Sequence, residues 1–228
     1  MKCWLEQIQQ ERPKRLALLY DFGFSSDYRT IYDFQKKLVE KRINGEIPDS
    51  LILVEHDHVL TLGRNSHEEN ILKSGLPRFE IERGGDVTYH GPGQLVAYPI
   101  ISLTANNLGV RQYIELLEKV VIDSVSTYGL SAVGKLGPLT GVWVGGKRKI
   151  ASIGVAVSHW VTYHGLALNV TTDLSYFQKI KPCGFEGRVM TSLELELGRP
   201  LDLVEVKEKI LASFSANFGM IFPSSHTG

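Results

Sequence analysis

The chain carries no surplus of charge: 25 lysines and arginines balance 25 aspartates and glutamates among its 228 residues. A nucleic-acid binder or a membrane-surface protein usually shows a basic excess or a polybasic cluster. With neither present, no nucleic acid and no membrane is expected as a partner. No apolar run approaches the roughly 20 residues that a spanning helix needs, and the opening MKCWLEQIQQERPKR lacks the apolar centre of a signal peptide. Cysteine is scarce, at Cys3 and Cys183 only. Without an export signal, both are expected to be reduced thiols, and a cytoplasmic location follows as the expectation.

What is present fits a globular protein with a sizeable core: 43% of residues are hydrophobic and 22% charged. No repeat, low-complexity tract or long linker calls for a boundary, so residues 1–228 are expected to form a single domain. Strands are expected at Arg15–Asp21, Leu51–Glu55, Val59–Leu62, Phe79–Glu82, Gln94–Ser102 and His164–Val170. Helices are expected at about Ser25–Ile43, with Ser25 or Ser26 as N-cap, at Val110–Tyr128 and at Leu201–Phe214. Thr140–Ser158 reads as a hairpin turning at Gly145-Gly146. This mixture predicts an α+β fold with a mixed, largely antiparallel sheet flanked by helices.

Three segments carry possible chemistry. Pro182-Cys183-Gly184 offers a thiol between a residue that fixes the turn and one that leaves room for a substrate. A buried structural cysteine is the competing reading. A nucleophilic thiol needs a base or a cation nearby, its free pKa being near 8.5. Lys149 is the candidate because simple alternation puts it on one face with Ala151, Ile153, Val155 and Val157; a solvated lysine is the alternative. The third segment, Arg83 to Gln94 (RGGDVTYHGPGQ), holds four glycines and a proline among polar groups. It lacks the strand-then-helix spacing of a nucleotide loop. His90 within it reads either as a base or as a structural histidine. His56 and His58 resemble a metal pair in composition, but spacing places no third ligand, and no metal is expected.

The segments LILVEHDHVLTLGR (51–64), RGGDVTYHGPGQLVAYPI (83–100), GGKRKIASIGVAV (145–157), HGLALNV (164–170) and KPCGFEGRVMTSL (181–193) together resemble the lipoyl(octanoyl) transferases of lipoate biosynthesis. The resemblance runs from about residue 16 to 217, with no departure at these motifs. It implies the fold of the biotin and lipoate protein ligases. It also implies transfer of an octanoyl group from octanoyl-acyl carrier protein to a lysine of lipoyl domains, those of 2-oxoacid dehydrogenases and of the glycine cleavage H protein. By the resemblance, Cys183 is the acyl-thioester nucleophile and Lys149 the lysine that activates it. The implied substrate-binding residues are Arg83, Gly84, Gly85, Asp86, Val87, Thr88, Tyr89 and His90, then Ser152, Ile153 and Gly154, then Gly165, Leu166 and Ala167. No cofactor and no ATP is implied, since the donor thioester is already activated. An ATP-dependent ligase, a silent binding module and a thioester hydrolase are the competing readings.

Overall fold

The computed structural model describes residues 12–72, 75–181 and 189–223. Its centre is a seven-stranded sheet. The strands are β2 (Leu18–Asp21), β3 (Ser50–Val54), β7 (Gln94–Ile100), β8 (Ala132–Lys135), β9 (Gly141–Val144), β10 (Arg148–Ser158) and β11 (Val161–Asn169), in the spatial order β2-β3-β7-β11-β10-β9-β8. Only β2 and β3 run parallel; the other pairs are antiparallel. The mixed, mainly antiparallel sheet expected from the sequence is therefore present.

The run SLILV in β3 is apolar at consecutive positions because helices cover both faces. Leu51 and Leu53 pack with Leu95, Ala97, Leu166 and Leu168 under α2 (Val110–Ser126) and α4 (Leu203–Phe218). Ile52 and Val54 face the other way, with Val96, Tyr98 and Ala167, against Ile31 and Leu38 of α1 (Tyr28–Ile43). A three-stranded sheet of β4 (Val59–Leu62), β5 (Arg78–Glu80) and β6 (Thr88–His90) lies over this second side, in the order β5-β4-β6.

Several boundaries differ from the sequence expectation. The first strand breaks at Ala17, leaving β1 (Arg15–Leu16) paired with β12 (Met220–Ile221) while β2 joins the main sheet. The first helix is capped by Asp27, whose carboxylate accepts from the Thr30 N–H at 2.9 Å. Ser25 is in the left-handed region at φ 57° and Ser26 bridges to His56, so neither serine is free to cap. The last helix runs on to Phe218 and ends at Gly219, preceded by a short α3 (Leu193–Leu197). The Gly145-Gly146 turn is present, both residues having positive φ.

Candidate functional site

The site depends on one irregularity in β10. Lys149 pairs with Trp143, but Ala151 pairs with Val142, so two residues of β10 span one step of β9. A β-bulge of this kind inserts an extra residue and re-aims the side chains before it. Ile150 and Ala151 both belong to the core beneath α2, as does Val142. Cross-strand partners share a face, so Lys149 goes with Trp143 to the opposite side. The alternation that grouped Lys149 with Ala151, Ile153, Val155 and Val157 is thus broken by the bulge.

On that side Lys149 is buried, at 6% exposure. Its stem lies across Gly141, where an added Cβ would come within 2.6 Å of Lys149 Cε. Its Nζ is 5.6 Å from the centroid of the Trp143 ring. Behind Gly141, the buried Glu118 of α2 accepts from the Gly141 N–H at 3.4 Å, and burial raises the Glu118 carboxyl above its ordinary pKa.

Lys149 stands at one side of a cavity of 710 Å³. The floor of the cavity is the sheet itself, and it is floored by small residues. Val96 pairs with Ala167, Ala167 with Ser152, and Ser152 with Gly141. Gly154 and Gly165 are partners one step along. β9 stops pairing at Ser152, so the outer edge of β10 is open beyond that point. The glycine-rich segment crosses this open edge: the Gly84 N–H donates to the Val155 carbonyl at 2.9 Å. A side chain at Gly154 would meet Arg83 Cδ at 2.9 Å, which is why glycine is required at this crossing. Arg83 is anchored in turn to the Thr61 carbonyl at 2.7 Å and to Thr61 Oγ1 at 3.0 Å.

The rings of Tyr28, Tyr98, His90 and His164 line the cavity, and burial favours the neutral form of the two imidazoles. His90 Nδ1 is 2.7 Å from Gln94 Oε1, and Gln94 spends its amide donor on Asn169 Oδ1 at 2.9 Å. That leaves Gln94 Oε1 as acceptor and makes His90 Nδ1 the donor. Burial lowers the His90 pKa to about 3 and that of His56 to about 4. His56 Nε2 is 2.8 Å from the Tyr98 hydroxyl, while His58 Nδ1 is 2.8 Å from the Tyr89 hydroxyl. The two histidines therefore serve different tyrosines. His164, in the left-handed region at φ 55°, also lines the cavity, with its Nε2 3.8 Å from Glu82.

The residues predicted to bind substrate converge here with one exception. Arg83 to Thr88, His90, Ser152 to Gly154 and Gly165 to Ala167 all line the cavity with Lys149. Tyr89 turns away and packs on Tyr176 and Phe177. Cys183 lies outside the described residues. The described chain on either side of it is tied to the cavity: the Lys181 N–H donates to the Asn70 carbonyl at 2.7 Å, and the Thr191 N–H to the Lys149 carbonyl at 2.9 Å. Asn70, Val189 and Met190 line the cavity themselves. Tyr28 and Tyr98 also line it and were missed by motif reading. Tyr98 lies in β7, which is buried at every position, so its spacing alone does not set it apart from core.

The family model for the lipoyl protein ligase A/B catalytic domain matches residues 27–215. The octanoyltransferase of Solibacter usitatus is 48% identical over 203 residues, covering 86% of this chain and 89% of its own. That of Bacteroides fragilis (strain YCH46) is 50% identical over 185 residues, covering 76% of this chain and 83% of its own. Among solved structures, a bi-partite lipoate protein ligase from Thermoplasma acidophilum superposes with a TM-score of 0.69 at 17% identity, covering 94% of this chain and 87% of that one. Lipoate-protein ligase A bound with ATP gives a TM-score of 0.68 at 16% identity, covering 94% and 88%. These structural likenesses show the biotin and lipoate ligase fold. With sequence identity near one half across most of both chains, this chain belongs to the octanoyltransferases of the lipoyl protein ligase A/B catalytic-domain family.

Proposed function

We propose that the chain, working as a single catalytic domain, moves an octanoyl group from octanoyl-acyl carrier protein to a lysine of a lipoyl domain through a thioester on Cys183. No ATP and no bound cofactor takes part. The acceptors are the lipoyl domains of 2-oxoacid dehydrogenases and the glycine cleavage H protein, and the reaction takes place in the cytoplasm. The observation that carries this reading is Lys149: a lysine turned by a bulge into a cavity, beside the described ends of the segment that holds Cys183.

The chemistry divides into two balanced steps. In the first, the Cys183 sulfur, its proton taken up by Lys149, attacks the donor thioester carbonyl. A new carbon–sulfur bond forms as the bond to the carrier's pantetheine sulfur breaks, and that thiolate leaves with a proton. In the second, the acceptor amine attacks the acyl-enzyme, the carbon–nitrogen bond forms, and the Cys183 thiolate departs. Lys149 accepts the proton that the amine releases. Exchange of one thioester for another is nearly balanced in energy, so the donor supplies the activation. A covalent intermediate of this type gives ping-pong kinetics.

The electrostatics of the cavity suit an apolar acyl tail. His90 stays uncharged well below neutral pH, and the buried Arg83 guanidinium that also lines the cavity is bonded to the Thr61 carbonyl and hydroxyl rather than left unsolvated. Each methylene placed there contributes about 0.8 kcal/mol. The test is transfer from octanoyl-acyl carrier protein to apo lipoyl domain without ATP, comparing the natural protein with Cys183→Ser. Transfer that vanishes in the variant supports the route. Undiminished transfer by Cys183→Ser, or a strict need for ATP and free octanoate, overturns it.

A further inference from the structure

Tyr98 closes the small-residue trough at the point where an eight-carbon chain would end. We propose that Tyr98, held in place by His56, is the stop that sets the acyl length this cavity accepts; the proposal rests on the acyl-transfer reading above. From the Lys149 side, the floor runs over Ser152 and Gly154 on β10 and over Ala167 and Gly165 on β11. It then meets β7, where Val96 and Tyr98 present larger side chains on the same face.

From β10 to β7 is two strand spacings, roughly 9.6 Å. An extended octanoyl group has seven carbon–carbon bonds of ~1.5 Å, each advancing the chain about 1.3 Å, or about 9 Å in all. The two lengths agree. A decanoyl group would overrun by about 2 Å on the same count.

The wall does not yield easily. Tyr98 is 3% exposed, and its hydroxyl is 2.8 Å from His56 Nε2. His56 is fully buried, with Nδ1 3.2 Å from the Ser26 carbonyl and its ring 5.0 Å from that of Tyr28. Behind Tyr98 is its cross-strand partner Ile52, also fully buried. Swinging the tyrosine aside would strip His56 of its partner and push into this core. Small residues thus make the path, and one hydrogen-bonded ring ends it.

The test measures acylation of Cys183 in the full-length protein by hexanoyl-, octanoyl-, decanoyl- and dodecanoyl-acyl carrier protein. The natural protein should favour octanoyl over decanoyl by tenfold or more. Tyr98→Ala frees room for about two to four carbons at ~1.3 Å each, so decanoyl or dodecanoyl should equal or exceed octanoyl. Ala167→Val, which leaves Tyr98 and His56 paired, narrows the trough ahead of the stop and should lower octanoyl at least tenfold against hexanoyl. Unchanged length ratios in folded Tyr98→Ala, or in Ala167→Val should the first variant fail to fold, overturn the stop. If the natural protein forms no adduct on Cys183 with any donor, the acyl-transfer reading fails instead.

Discussion

Replacing Gly141 by alanine tests how Lys149 is placed. Gly141 has φ 137°, a region that residues with a side chain avoid at a cost of about 1–3 kcal/mol. An added methyl would also come within 2.4 Å of the Ala151 carbonyl oxygen and 2.6 Å of Lys149 Cε. The lysine stem can move, but the backbone oxygen cannot, so overpacking adds about 1–3 kcal/mol. A loss of about 3 kcal/mol corresponds to a fall in Tm of roughly 6–12 °C for a chain of this size. Gly146→Ala is the control. It has positive φ, 68°, but nothing within 4 Å of the added methyl, so it bears only the backbone cost. That variant should lose about 2–4 °C and keep full activity.

The assay pairs thermal unfolding with the initial rate of acylation by octanoyl-acyl carrier protein at 20 °C or so, where both variants are folded. If Lys149 is seated on Gly141, the Gly141→Ala rate falls by about 100-fold, the usual penalty for misplacing a reacting group by an ångström. A Gly141→Ala protein with the modest Tm change of the control and the natural rate would refute this seating.

Three further outcomes follow from the same geometry. Lys149→Met keeps the apolar stem and removes the amine; single-turnover acylation should drop about 100-fold or more while circular dichroism stays unchanged. Arg83→Lys loses the paired bonds to Thr61 and should cost about 2–3 kcal/mol in urea unfolding, with a raised KM. Acid should destabilise the fold through His56. Its folded pKa of about 4 lies below the unfolded value of 6.5, so the unfolded chain binds the proton first as pH falls. Stability is complete above pH 6.5 and declines toward pH 4, by about 2 kcal/mol at pH 5 from this residue. Urea midpoints at pH 7 and pH 5, in the natural protein and in His56→Gln, measure the difference, which should shrink in the variant.

Much of the architecture could be read from the residues, and for identifiable reasons. Apolar runs such as Leu51 to Val54 and Leu95 to Ala97 mark strands covered on both faces. The helix from Val110 shows its buried stripe at Leu117, Val121 and Val125. Gly145-Gly146 announces its own turn. By contrast, the β10–β11 hairpin turns at His159 and Trp160, both in the left-handed region without glycine, and no residue-level rule points there. Strands of two to four residues, such as β6, β8 and β12, are too short to show a period.

The site was legible in its members more than in its geometry. Lys149 was singled out because alternation grouped it with an apolar row, yet the bulge before Ala151 puts it on the other face. An inserted residue in a strand leaves no mark in composition, so only pairing register reveals it. Tyr98 escaped because it lies in a strand that reads as core, and its place at the cavity's end depends on β7, β11 and β10 being adjacent.

The most direct test of the account is the intact mass of the protein after mixing with octanoyl-acyl carrier protein in the absence of ATP. A hydroxylamine-labile octanoyl adduct that maps to Cys183 and disappears when apo lipoyl domain is added is the predicted result. Absence of any adduct, with transfer appearing only when ATP and free octanoate are supplied, would contradict it.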